Sequence, residues 1–163
     1  MIDTVFNYGA LPQTWEDPNR IKTDEEGNRY GGDNDPIDAV EISNKKLRNY
    51  DVYKVKVIGA LCLIDSGEVD WKLLVIDSTS NLSKTINNLG DFKSKMPDRF
   101  NEIKEWFRNY KIPEGKKQNL YLNDSNDFDI KESLEAINET HLDWVNMNNM
   151  DHDGNAALET FVE

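Results

Sequence analysis

Residues 52–77 constrain the fold more than any other stretch. Val52, Val55 and Val57 are β-branched, and Lys54 and Lys56 alternate with Val55 and Val57, the period of two expected of a half-buried strand. From Val57 to Ile64 the run turns wholly apolar, as a strand does on entering a core. Ser66-Gly67-Glu68 reads as a turn, and Trp71–Asp77 reads as a returning strand. The spacing predicts a hairpin with a slightly long loop.

The flanks set the fold class. Pro12 and Pro18 lie six residues apart and exclude a helix at the start of the chain, leaving extended segments and turns. Residues 20–32 are polar with Gly27, Gly31 and Gly32, a loop pattern, and Ile37–Ile42 reads as a short strand. Phe100, Ile103, Trp106, Phe107 and Tyr110 follow helical spacing behind Pro97, predicting a helix over 98–110. Residues 129–148 give a second helix, its stripe made of Ile130, Leu134, Ile137, His141, Trp144 and Val145. Residues 81–95 read as loop with a short helical piece. Strands first and helices later predict an α+β fold, and 163 residues suit one domain.

Charge narrows the function. Nineteen Lys and Arg against 31 Asp and Glu give a formal net charge of −12, which argues against nucleic-acid and anionic-membrane binding. No apolar stretch reaches the roughly 20 residues of a membrane span, and no signal-peptide pattern is visible. The expectation is a soluble cytoplasmic protein, with an organelle left open. Cys62, the single cysteine, lies in the apolar run and reads as a buried small hydrophobe.

The chemistry concentrates in Gly31-Gly32-Asp33-Asn34-Asp35-Pro36-Ile37-Asp38. In an extended segment Asp33 and Asp35 share a face, and Asn34 points away. Asp38 closes on the same centre if the chain turns at Pro36. Asp70 and Lys72 share a face of their strand, and Asp65 can approach Asp70 from the far end of the hairpin loop. Crowded carboxylates repel, and they coexist when protonated or when cations neutralise them. Hard oxygen ligands with one lysine suit Mg²⁺ and a phosphate substrate. The bland alternative is that Asp and Gly simply make turns.

Three segments carry a resemblance: Asn7–Pro18 (Asn-Tyr-Gly-Ala-Leu-Pro-Gln-Thr-Trp-Glu-Asp-Pro), Gly32–Ile42 and Asp65–Asp77. With Glu105–Lys116 they resemble the soluble family I inorganic pyrophosphatases of the eukaryotic type, from about residue 6 to about 145. The resemblance implies a small OB-like five-stranded β-barrel with two flanking α-helices, and Mg²⁺-dependent hydrolysis of pyrophosphate to two phosphates. It implies that Asp33, Asp38, Asp65 and Asp70 ligate Mg²⁺, that Asp35 activates the attacking water, and that Lys72, Tyr110, Lys111 and Tyr8 bind phosphate. It also implies a homodimer as a common assembly.

Family members carry further strands before the segment matching Asn7-Tyr8, with more acidic ligands, a lysine and an arginine. The barrel is therefore expected to be incomplete here, and the chain is read as the C-terminal part of one such domain with a polar tail from about 146. The competing expectation is an inactive or non-catalytic acidic metal-binding or interaction domain of the same fold. Asn149–Gly154 imitates the first half of an EF-hand loop, but Thr160 stands where the closing Glu belongs, so a solvated tail is expected. His141 is expected to be a core or boundary residue. Trp15, Trp71, Trp106 and Trp144 are expected to be packing residues.

Overall fold

A computed structural model describes residues 6–43, 45–122 and 127–149. The EF-hand-like residues beyond Asn149 lie outside this set. The strands are β1 (Asn7–Ala10), β2 (Lys22–Thr23), β3 (Arg29–Tyr30), β4 (Asp38–Glu41), β5 (Val55–Asp65), β6 (Glu68–Asp77) and β7 (Leu120–Tyr121). The α-helices are α1 (Leu89–Lys95), α2 (Pro97–Asn109) and α3 (Ile130–Asn148). The fold is α+β, with a five-stranded sheet in the order β1-β4-β6-β5-β7 and a separate β2–β3 ribbon. That ribbon replaces the plain loop expected over 20–32. The five-stranded sheet is open, with β1 and β7 at its edges.

The hairpin is tighter than its sequence suggested. Asp65 pairs with Glu68, so only Ser66 and Gly67 form the turn. Both have positive φ, 57° and 95°, as the turn that suits right-twisted strands requires. β6 thus begins at Glu68, inside the predicted turn. β4 lies parallel to β6, and β1 antiparallel to β4.

Strand alternation sends side chains to two cores. On one face Val40, Leu61, Leu63 and Leu74 pack against Phe92 of α1 and against Phe100, Ile103 and Phe107 of α2. On the other, Ala60, Cys62, Trp71 and Leu73 pack with Ala136 and Ile137 of α3. Cys62 is buried, as expected.

α2 buries the predicted positions Phe100, Ile103 and Phe107, and starts with Pro97 in its first turn. α3 is capped by Asp129, whose side chain accepts from Glu132 N–H while Glu132 bonds back. Its buried face differs from the predicted stripe: Ser133, Ala136, Thr140 and Asp143 face inward, and Leu134 is half exposed. Polar contacts turn the helix this way. Arg20 forks onto Asp143, Lys22 bonds Glu139 at 2.6 Å, and the Thr140 carbonyl accepts from Trp15 N–H at 3.0 Å. His141 is a boundary residue, bonded to the Gln13 carbonyl and stacked on Trp144. Among the described residues no helix is long and apolar enough to cross a membrane.

Candidate functional site

The charged residues gather where the first core face runs out of apolar side chains. Along β5 that face reads Leu61, Leu63 and then Asp65; the register sets Lys72 opposite Leu61 and Asp70 opposite Leu63. Parallel pairing brings Asp38 beside Lys72. The shared face expected for Asp70 and Lys72 is present, with Lys72 Nζ 2.6 Å from Asp70. Lys72 also bonds Asp38, and donates to the Tyr8 hydroxyl at 2.9 Å; that hydroxyl in turn donates to Asp38. Burial opposes the charge on Lys72, but Asp70, Tyr8 and Asp38 outweigh it and hold its pKa above the ordinary lysine range.

The Asp33–Asp35 loop is not extended. Asn34 has φ of 69°, and the Asp33 carboxylate accepts the Asp35 N–H at 3.0 Å. The chain therefore turns between the two aspartates, Asp33 facing inward and Asp35 exposed. Asn34 accepts from the Trp15 indole at 2.9 Å, a polar contact where only packing is expected of Trp15.

One acidic residue escaped the sequence reading. Glu16, Asp33 and Asp70 each offer an oxygen such that all three atoms lie within 4.8 Å of one another. Glu16 is 3% exposed. The Thr14–Pro18 segment is stitched to the acidic loop: Glu16 N–H donates to the Asp35 carbonyl at 2.9 Å, and Asn34 N–H to the Glu16 carbonyl at 3.0 Å. A Cβ on Gly32 would stand 2.4 Å from that carbonyl oxygen, which explains the glycine there. Burial pushes the Glu16 carboxyl up to about 10, helped by repulsion from Asp33 and Asp70. Burial likewise lifts Asp70 to about 7 against the pull of Lys72, and raises Asp33. No local signal separates Glu16 from Asp17, since both lie between Trp15 and Pro18.

Asp65 sits in a different environment. It does not join the Glu16–Asp33–Asp70 group; the C-terminal end of α2 takes it instead. Tyr110 donates to it at 2.5 Å, Lys111 bonds it, and Ser66 donates at 3.0 Å. Burial alone would raise Asp65, yet bonds from Lys111, Tyr110 and Ser66 bring it below the ordinary carboxylate range. Buried Asn119 lies 3.4 Å from the same carboxylate and donates to the Phe107 carbonyl at 3.1 Å.

The donor set fits a divalent cation. It is all oxygen, and Glu16 Oε2 and Asp70 Oδ1 are buried without a hydrogen-bond partner. Hard cations such as Mg²⁺ take such ligands, and bare buried carboxylates otherwise cost several kcal/mol each, by order of magnitude.

Comparison with known proteins agrees. A family model described as inorganic pyrophosphatase matches residues 1–145. An inorganic pyrophosphatase of Drosophila melanogaster is 42% identical over 145 residues, covering 88% of this chain and 41% of the relative. A crystal structure of an N-terminally truncated vacuolar soluble pyrophosphatase of Trypanosoma cruzi in complex with PPi aligns with a TM-score of 0.83 at 37% identity, covering 91% of this chain and 55% of that one. The inorganic pyrophosphatase of Schistosoma japonicum aligns with a TM-score of 0.86 at 32% identity, covering 98% and 60%. The chain spans about half the length of the curated relatives it matches. Sequence, sheet order and acidic face agree on one conclusion: this chain belongs to the inorganic pyrophosphatase family.

Proposed function

We propose that the site hydrolyses inorganic pyrophosphate to two phosphates with Mg²⁺ bound, on the convergence of Asp33, Asp38 and Asp70 around a buried lysine in a chain of this family. Asp33, Asp38 and Asp70 are the ligands proposed for the cation, and Asp65 is proposed for a cation on the α2 side. Bound there, a divalent cation supplies charge to the phosphate oxygens and lowers the pKa of water.

The chain's own residues do the rest. Asp35 is exposed on the loop, free of the lysine network, and takes a proton from the attacking water. The water oxygen forms a bond to one phosphorus, and the bridging oxygen leaves with the second phosphate, which finally receives the proton. Lys72 stays protonated and keeps Asp38 and Asp70 oriented. Lys111 spends one of its three N–H donors on Asp65, leaving the others for phosphate. Tyr8, half exposed beside Asp38, and Tyr110 complete the phosphate side.

The open sheet is proposed as part of an OB-like barrel in a longer domain, and a homodimer as its assembly, both on the family resemblance. A cytoplasmic setting accords with a lone, buried, unpaired cysteine. The test is phosphate release from pyrophosphate with Mg²⁺ by the chain and by D35N. D35N is expected to lose about 10²–10⁴-fold in rate with the Mn²⁺ affinity unchanged. Equal rates would remove Asp35 from its role. Mn²⁺ binding without any turnover by the unaltered chain would favour a non-catalytic metal-binding domain instead.

A further inference from the structure

Glu16 is placed by backbone contacts. Its N–H and C=O are both bonded to the Asp33–Asp35 loop, and Gly32 permits the close approach. Its Oε1 accepts the Trp71 N–H at 3.0 Å, which ties the acidic loop to β6 immediately after Asp70. The other oxygen, Oε2, is buried without a partner, as is Asp70 Oδ1. A glutamine would serve the Trp71 contact equally well, because its amide oxygen accepts the same bond and carries no charge into the interior. The clamp therefore accounts for only one of the two oxygens. The second has no partner, in a residue that offers a carboxylate oxygen to a group with Asp33 and Asp70, the three ligand atoms within 4.8 Å of one another.

We propose that Glu16 is a further carboxylate ligand, beside Asp33, Asp38 and Asp70, of the divalent cation at this site. The inference rests on the reading that the site takes such a cation, and adds a residue from outside the Asp33–Asp38 motif. Glu16 couples cation binding to the seam between the Thr14–Pro18 segment, the acidic loop and β6. Glu16, Asp33 and Asp70 come from three segments separate in sequence, and holding one cation would tie those segments together.

The test is Mn²⁺ binding to the full chain, followed by the electron paramagnetic resonance of free Mn²⁺. E16Q is expected to weaken the tightest site by about 10–100-fold while the far-UV circular dichroism stays unchanged. Its metal-free Tm is expected at or above the parent value, and its Tm gain on adding Mn²⁺ to shrink. A purely structural clamp, which the glutamine preserves, would leave the Tm gain on adding Mn²⁺ at the parent value and overturn the proposal. E16Q binding Mn²⁺ with the parent affinity would overturn the proposal while leaving the site's cation reading intact. No Mn²⁺ binding by the parent chain would overturn both. A manganese soak of the unaltered protein decides the point independently of any variant. Anomalous density bonded to Glu16 Oε2 supports the assignment; density held by Asp33 and Asp70 with Glu16 turned away removes it.

Discussion

Two acidic neighbourhoods share one sheet face, and they are solved in opposite ways. Asp65 is surrounded by donors from Tyr110, Lys111 and Ser66, and is held ionised below the ordinary range. Glu16, Asp33 and Asp70 are crowded together with Lys72 as their nearby cation, and all three are pushed upward. Both neighbourhoods lie at the same end of β5 and β6. What separates them is the supply of donors: the C-terminal end of α2 provides it at Asp65, while the Glu16 side offers carboxylates and orphaned oxygens. At Asp65 the protein itself supplies donors to the carboxylate, whereas on the reading proposed above the other group relies on an ion from solution.

The largest expected effect follows from removing each side's lysine. K72M should destabilise the metal-free chain by about 3–5 kcal/mol, since it leaves buried Asp70 and its neighbour Asp38 without their counter-charge. K111M should cost only about 1.5 kcal/mol, since Asp65 keeps its bonds from Tyr110 and Ser66. Denaturant unfolding measures both, and Mg²⁺ should recover more of the loss in K72M. Equal losses would dissolve the contrast.

G32A should come next. A Cβ there meets the Glu16 carbonyl oxygen at 2.4 Å and the Asp17 carbonyl oxygen at 2.8 Å, so the backbone seam must open. A loss of about 1–3 kcal/mol is expected, together with weaker Mn²⁺ binding. A G32A chain with unchanged melting and unchanged Mn²⁺ affinity would show that the seam does not position the carboxylates.

The smallest effect is the pH profile of the metal-free chain. Asp70 and Glu16 hold protons more tightly folded than unfolded. Their contribution to stability therefore falls as pH rises from the unfolded carboxyl range near 4 towards about 7 for Asp70 and about 10 for Glu16. Asp65 has the opposite sign: its contribution is present above the unfolded value and is lost as pH falls through its lower folded value. Calorimetric Tm in chelator should therefore decline from pH 5 to pH 8, and D70N should flatten the decline. Mg²⁺ should reverse the slope, because ligation requires the deprotonated carboxylates. A rise of Tm across that range in chelator would contradict the raised values.

Much of this was legible in the chain. Alternation along residues 52–77 put Lys72 and Asp70 on one face, and the spacing from Phe100 to Phe107 marked the buried side of α2. The shape of the acidic loop was not legible, because period-two reasoning presumes extended backbone and Asn34 adopts positive φ. The inward face of α3 was missed for a related reason. Arg20 and Lys22, more than 100 residues away in sequence, draw Asp143 and Glu139 inward, and an apolar count does not see them. Glu16 was passed over since nothing local distinguishes it from Asp17.

Sequence by itself determined the strand hairpin, the helix α2, the aspartate motif and the family likeness, because these rest on local periodicity and short-range spacing. Tertiary structure alone decided which carboxylates meet. Hydrogen bonds between backbone segments brought Glu16 to Asp33 and Asp70, and the end of α2 gave Asp65 its donors. Electrostatic character depends on distance through space and on burial, and neither is written in the order of residues along the chain.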